Sequence, residues 1–372
     1  MASIGPAMWC LITAVANVSA LPFPPQSLPG VNIGLGLPSG YEPSGAVWHS
    51  RLNRLFVVDD NGRLTSMNAD GTDTVHWNVP GDLEDIAVAD PDSDFVYVGV
   101  EHPDSILEFN IVAGAVTRSF NLTTWMTGPS NSGLEALTFV PNANNAEGGL
   151  FYAGLQNDGR IYTFELPIAS SASATNVTHV GTITPVAGQT DIAGMHYDAE
   201  NDVLYAIFDG ANQLRAMDAT GTMLQEWTLA GNDQEGITFA GTDLFISEDS
   251  GRVVRYGSFP IVHPGPLGDF NRDGRVDAGD YVVWRDHVGA GPGTLANDTV
   301  GGEIGAGQYA LWRRYFGGRV ETKPFSKLTN VVPEPTSGWL LIAAVVVQMT
   351  GGIPRDTIGL RQRTRSFVSW IP

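Results

Sequence analysis

The sequence predicts an all-β fold of repeated antiparallel meanders, followed by a small helical segment towards the C-terminal end. Three observations carry that expectation. Short alternating apolar runs such as Leu55-Phe56-Val57-Val58 and Leu204-Tyr205-Ala206-Ile207 recur along the chain, and period-two alternation marks a half-buried strand. The runs are joined by Asn-Gly, Asp-Gly and Asn-Asp-Gly turns, which supply the positive φ values of tight hairpins. Composition agrees, because 44 glycines and 23 prolines among 372 residues suit a turn-rich β protein.

The chain begins with the apolar run "AMWCLITAVANVSA", which contains the single cysteine, Cys10, and ends in Val18-Ser19-Ala20. Residues 1–20 read as a secretory signal peptide cleaved near Ala20, leaving a mature chain without cysteine or disulfides. No Lys or Arg precedes Arg51, which leaves room for a true start further upstream. Asp and Glu number 40 against 20 Lys and Arg, a formal charge of −20. A balance this acidic excludes non-specific nucleic-acid binding, which needs basic groups to release counterions, and suits cation binding.

Residues 31–260 hold five copies of one pattern, starting at Pro43, Asp82, Gly133, Asp191 and Asp233. A four-stranded meander repeated about every 40 to 58 residues indicates a β-propeller of five or six blades, in which each sheet buries its faces against its neighbours. Residues 31–40 are placed to supply a closing strand. The motifs "LEDIAV", "LEALTF" and "QEGITF" in these copies resemble the SdiA-regulated family of secreted or periplasmic propellers and, more loosely, the esterase-like phytase propellers.

Aligning the copies places Glu84, Glu135 and Glu235 at one position, the start of the innermost strand, where the first copy has Ser44 and the fourth Ala193. Three carboxylates converging on a channel mouth could hold Ca²⁺ or raise one another's pKa for general-base work. They could equally cap backbone amides of the next blade. Asp59, Asp60, Asp209, Glu248, Asp249 and the pair Glu101-His102 follow second strands, where Asp commonly stabilises turns. His49, His102 and His196 have no i, i+4 partner that would make a zinc motif, and neither a nucleophile elbow nor a phosphate-cradling glycine loop is present in its expected context.

From Asp269, "DFNRDGRVDAGD" places oxygen-bearing side chains at positions 1, 3, 5, 9 and 12 of a calcium loop: Asp269, Asn271, Asp273, Asp277 and Asp280. Arg275 offers its carbonyl at position 7 and Gly274 makes the turn at position 6. Ca²⁺ accepts six to eight oxygens in this spacing. With Asp in place of Glu at position 12 and the helical run "YVVWRDHVG" behind it, the loop resembles that of a type I dockerin. "QYALWRRYFGG" repeats the helix, with Tyr309 and Trp312 echoing Tyr281 and Trp284. Its preceding loop, counted as Asn297, Thr299, Gly301, Gly305 and Gln308, has no carboxylate at a ligand position and is expected to bind calcium weakly or not at all. The resemblance implies docking to a cohesin-like partner; a structural calcium clip between propeller and tail is the competing reading.

The last segment, "VVPEPTSGWLLIAAVVVQMTGG" followed by Arg355, Arg361, Arg363 and Arg365, resembles the PEP-CTERM sorting signal, which an exosortase-type enzyme processes at the membrane. The organisation expected is therefore a signal peptide at 1–20, a propeller at 31–260, a linker at 261–267, a dockerin-like module at 268–318, a second linker at 319–331 and a sorting tail at 332–372. The function expected is that of an exported envelope or matrix protein with Ca²⁺ as its cofactor. Its propeller would recognise a glycan, a peptide or a small ligand, with transient or C-terminal membrane association. The alternative is a metal-dependent phosphoester or lactone hydrolase using Glu84, Glu135 and Glu235.

Overall fold

The computed structural model describes residues 21–319 apart from 24–29, 130, 230–232, 263–264, 292–293, 299 and 301–302. The expected signal peptide and sorting tail lie outside the described residues.

Two short strands, β1 (Leu21–Pro22) and β2 (Val31–Asn32), precede the first meander. Blade one comprises β3 (Pro43–His49), β4 (Arg54–Asp59), β5 (Arg63–Met67) and β6 (Val75–Asn78), and blade two β7 (Leu83–Ala87), β8 (Phe95–Val100), β9 (Ser105–Asn110) and β10 (Ala115–Asn121). Blade three is β11 (Leu134–Pro141), β12 (Gly149–Leu155), β13 (Arg160–Glu165) and β14 (Thr178–Ile183). Blade four follows as β15 (Ile192–Asp198), β16 (Val203–Phe208), β17 (Gln213–Met217) and β18 (Met223–Thr228).

Blade five has only three strands of its own, β19 (Gln234–Ala240), β20 (Asp243–Glu248) and β21 (Arg252–Tyr256). Its fourth is β2, which pairs antiparallel to β21 with Val31 opposite Arg255. The segment expected to close the ring does so, and the blades number five rather than six. Strand β1 adds a parallel edge to blade four, Leu21 lying opposite Trp227.

Each blade interface holds its own apolar cluster, which is why one meander cannot stand alone. Phe56, Val98 and Phe109 join blades one and two, Phe120, Phe151 and Phe164 join two and three, and Ile192, Leu204 and Phe208 lie between three and four. Tyr205, Ile237 and Phe259 fill the interface of four and five, and Leu55, Val57 and Phe245 that of five and one. The innermost strands β3, β7, β11, β15 and β19 contact one another around the ring.

Beyond the propeller lie two short helices, α1 (Ala278–Asp286) and α2 (Ala306–Tyr315). They are related by reciprocal bonds: the Trp312 indole donates to the Asp277 carbonyl at 2.7 Å, and that of Trp284 to the Gly305 carbonyl at 2.9 Å. Asp277 and Gly305 are the N-cap residues of the two helices, so each tryptophan ties its own helix to the start of the other. Phe270, Leu295 and Ile304 form a small separate core beneath them.

Candidate functional site

Every innermost strand carries one residue more than its partner at its entry end. In blade one Pro43 faces Asp59 and Ala46 faces Val57, and β7, β11, β15 and β19 slip at the equivalent place. A bulge of this kind bends the strand and re-aims side chains. The bulged pairs are Ser44-Gly45, Glu84-Asp85, Glu135-Ala136, Ala193-Gly194 and Glu235-Gly236. The three glutamates read from the repeats thus share one structural position at one mouth of the channel.

Further acids surround that position. The amides of Glu101, Asp209 and Asp249 donate to the carbonyls of Asp82, Asp191 and Asp233 at 3.0, 3.1 and 3.1 Å. Each pair joins an acid just before an innermost strand to one at the turn after the second strand. Glu42 and Asp60 occupy these places in blade one, whereas blade three has Gly133 and Gln156. Asp60, Glu101, Asp209 and Asp249 were legible as turn acids. Asp82, Asp191 and Asp233 were not singled out, although they open three of the sequence repeats.

Carboxylate oxygens of Asp82, Glu84 and Glu101 lie within 4.8 Å of one another. Oxygens bound to one calcium at about 2.4 Å can be up to about 4.8 Å apart, so the three fit a hard divalent cation. Glu101 is held from two sides: one oxygen accepts from the Gly133 amide at 2.8 Å and the other faces His102 Nδ1 at 3.2 Å. Orientation of a ligand carboxylate by such neighbours is a usual feature of metal sites.

Burial and mutual repulsion dominate the electrostatics. Desolvation, then Asp82, raises the pKa of Glu84, while desolvation, then Glu84 and Glu101, raises that of Glu135. The neighbouring Glu135 draws Glu84 down in part, but burial outweighs it and both carboxyls stay above their ordinary range. Glu235 is pushed to about 9 by burial and by Asp249, Asp209 and Glu84. Asp60 rises to about 6 through desolvation and Glu42. Among the described residues, no Lys or Arg appears among the leading influences on Glu84, Glu135 or Glu235, which are desolvation and neighbouring acids.

Backbone capping between blades falls to other acids. Glu101 caps Gly133, Asp104 accepts from Leu134 N at 2.8 Å, and Asp209 accepts from Gln234 N at 3.1 Å. Among the described residues no backbone amide donates to Glu84, Glu135 or Glu235.

Next to the bulges the backbones of neighbouring innermost strands approach closely. A side chain at Gly194 would meet the Glu235 carbonyl at 2.0 Å, and one at Gly236 would meet the Gly45 Cα at 2.6 Å. At the equivalent place in blade two stands Asp85, fully buried. It accepts from Ile86 N at 2.8 Å, Leu137 N at 2.6 Å and Met195 N at 3.4 Å. One carboxylate thus satisfies edge amides of three innermost strands. Sequence reasoning missed it, and the signal was its departure from the Gly or Ala of the other copies.

The second candidate is the loop before α1. Asp269 and Asp280 are fully buried. Asp269 accepts from Gly274 N at 2.9 Å and Asp273 N at 3.2 Å, and Asp280 from Asn271 N at 3.0 Å and Asp277 N at 2.8 Å. Asn271 donates to Asp273 at 2.9 Å, Asp277 caps α1 through Gly279 N at 2.7 Å, and Arg275 bridges to Arg319. Burial and the neighbouring Asp280 push Asp269 up to about 7. All the residues read as calcium ligands are gathered in this one turn. In the second half-loop, Asn297 donates instead to the Asp269 carbonyl at 2.9 Å, and Gln308 accepts from the Gly305 amide at 2.9 Å.

The model of the SdiA-regulated family matches residues 169–255. That span contains the last strand of blade three and all of blades four and five up to Arg255, including Asp191, Asp209, Glu235 and Asp249. No curated protein matches the chain. Among solved structures, the glutaminyl cyclase of Myxococcus xanthus is similar at a TM-score of 0.43 and 15% identity, over 59% of this chain and 93% of that one. Virginiamycin B lyase from Staphylococcus aureus gives 0.37 and 14%, over 60% and 68%. The β-propeller domain of Myceliophteria thermophila Cps50 (Swd1) gives 0.37 and 11%, over 57% and 64%.

Proposed function

We propose that the propeller mouth is a divalent-cation site and that the protein is a metal-dependent hydrolase of phosphoesters or lactones. The observation that carries this reading is the approach of Asp82, Glu84 and Glu101 to within 4.8 Å, beside a glutamate pair that caps no backbone. Asp82, Glu84 and Glu101 would hold the cation, which supplies Lewis-acid polarisation of a substrate oxygen. Burial and the neighbouring acids raise the pKa of Glu135, so it would hold a proton beside that position and could pass it to a leaving oxygen. Glu235 restricts the opposite side of the mouth. A rim this rich in acids repels anions, so an anionic ester would enter only when the cation is bound.

The assay is hydrolysis of generic phosphoester and lactone substrates by the full chain, with and without Ca²⁺, Mg²⁺ or Mn²⁺. Cation-dependent turnover lost in Glu135→Gln supports the reading. Turnover that is absent under every cation, or unchanged in that variant, contradicts it.

A second reading concerns the rest of the chain. The loop from Asp269 to Asp280 would bind Ca²⁺, and the paired helices would form a dockerin-like module. The observation favouring it is the reciprocal bonding of Trp284 and Trp312 around two matching helix starts. Val282 and Phe316 on those helices are exposed, which suits docking to a cohesin-like protein. The sequences of residues 1–20 and 332–372 support export and C-terminal sorting by an exosortase-type enzyme, which would place the propeller in the envelope or matrix. Glycan or peptide recognition there is the non-enzymatic form of the same proposal, with the mouth cation as the contact.

A further inference from the structure

Arg272 occupies position 4 of the loop, between Asn271 and Asp273, with a backbone φ of +59°. Its side chain leaves the loop and donates to the Gln225 side-chain oxygen and the Leu224 carbonyl, both on β18 of blade four. Gln225 is itself buried and fixed, donating to the Glu226 carbonyl at 2.9 Å. A second tie lies nearby, where Val262 N donates to the Tyr205 hydroxyl at 2.9 Å and Phe259 and Val262 join the core of blades four and five. The linker is therefore anchored by packing, whereas the loop is anchored through one long side chain.

We propose that Arg272 is a calcium-responsive clamp: cation binding in the Asp269–Asp280 loop fixes its backbone so that its guanidinium locks the helix pair onto blade four. The inference rests on the reading of that loop as a calcium site. The physical link is short. Asn271 and Asp273 flank Arg272 on the same turn, so the backbone that directs their oxygens at a cation also directs the arginine at β18. Without the cation, Asp269, Asp273, Asp277 and Asp280 repel one another at close range, and the left-handed conformation at Arg272 loses its support. The two acceptors on β18 would then be left to water, while the Val262 and Phe259 anchor keeps the module tethered.

The test is hydrogen exchange by mass spectrometry on the full chain during calcium titration, read separately at residues 269–280 and 223–228. The expected result is protection of both segments at the same calcium concentration. In Arg272→Ala the loop segment stays protected and calcium affinity, read by calorimetry, changes by less than about tenfold, while the calcium response of 223–228 is lost. Asp280→Asn should abolish both responses, and Glu84→Gln should leave both intact. If calcium protects the loop of the wild-type chain but leaves 223–228 unchanged, the clamp is overturned and the calcium reading stands. If calcium protects neither segment, the loop reading fails and the clamp fails with it.

Discussion

Glu84 and Glu135 neighbour each other at the boundary of blades two and three, and after desolvation the Glu84 carboxylate is the largest cause that raises the pKa of Glu135. Both sit at equivalent bulges of innermost strands. The bulges bring the side chains to one position, and burial together with the neighbouring acids makes ionisation of both costly.

Replacing either carboxyl by an amide should therefore stabilise the cation-free protein. Glu84→Gln and Glu135→Gln each remove an ionisable group from a cluster of mutually repelling acids, and each is expected to raise the melting temperature by a few degrees, about 1 kcal/mol of stability. Glu84→Gln should in addition lose the stabilisation that a divalent cation gives the wild type. Thermal melts with and without cation, in a background where the Asp269–Asp280 loop is disabled, check both outcomes.

The same groups give the fold a pH dependence of defined sign. Glu235 is raised from 4.5 to about 9 in the folded state, so between these values the folded chain holds a proton that the unfolded chain releases. That stability is fully present below about pH 4.5 and is lost as the pH rises through about 9. Glu84 and Glu135 are shifted in the same direction. Melting of the cation-free protein should fall from pH 5 to pH 9, and a divalent cation should restore most stability at the alkaline end. A melting temperature that rises over this range would contradict the assignment.

Asp85 holds the centre of the ring. Asp85→Ala leaves the buried Leu137 and Met195 amides without their acceptor and should cost about 3 kcal/mol. Asp85→Asn retains part of the bonding and should cost less. Denaturant unfolding of the two variants gives the comparison directly.

The reciprocal tryptophans make a separable prediction. Trp312→Phe removes the bond to Asp277 while keeping much of the aromatic packing against Tyr281 and Tyr309, and should destabilise the helix pair by about 1 kcal/mol. Proteolysis within residues 268–319 should accelerate, and the propeller transition should not move.

Much of this architecture was legible because repetition amplifies weak signals. One meander such as Leu204-Tyr205-Ala206-Ile207 is ambiguous, whereas five aligned copies expose the recurring Glu84, Glu135 and Glu235 and identify their strands as innermost. Residues 31–40 were legible as a closing segment, and Val31 and Asn32 do pair with β21. The number of blades was not, because a degenerate blade and a long loop read alike. Asp82 and Glu101 lie just outside the ends of different strands and come together only through the pairing of β7 with β8, which periodicity does not reveal. Asp85 escaped notice for the opposite reason: its partners Leu137 and Met195 belong to other blades, and only ring closure brings their amides within reach.

The central claim, a cation site in the propeller distinct from the loop, is tested most directly by calorimetry on the full chain carrying Asp269→Asn and Asp280→Asn. Titration with Ca²⁺, Mg²⁺ and Mn²⁺ should reveal one remaining site for at least one of these ions, and adding Glu84→Gln should abolish it. If the double variant binds no divalent cation, or if the remaining site is indifferent to Glu84, the mouth is not a metal site and the hydrolase reading falls.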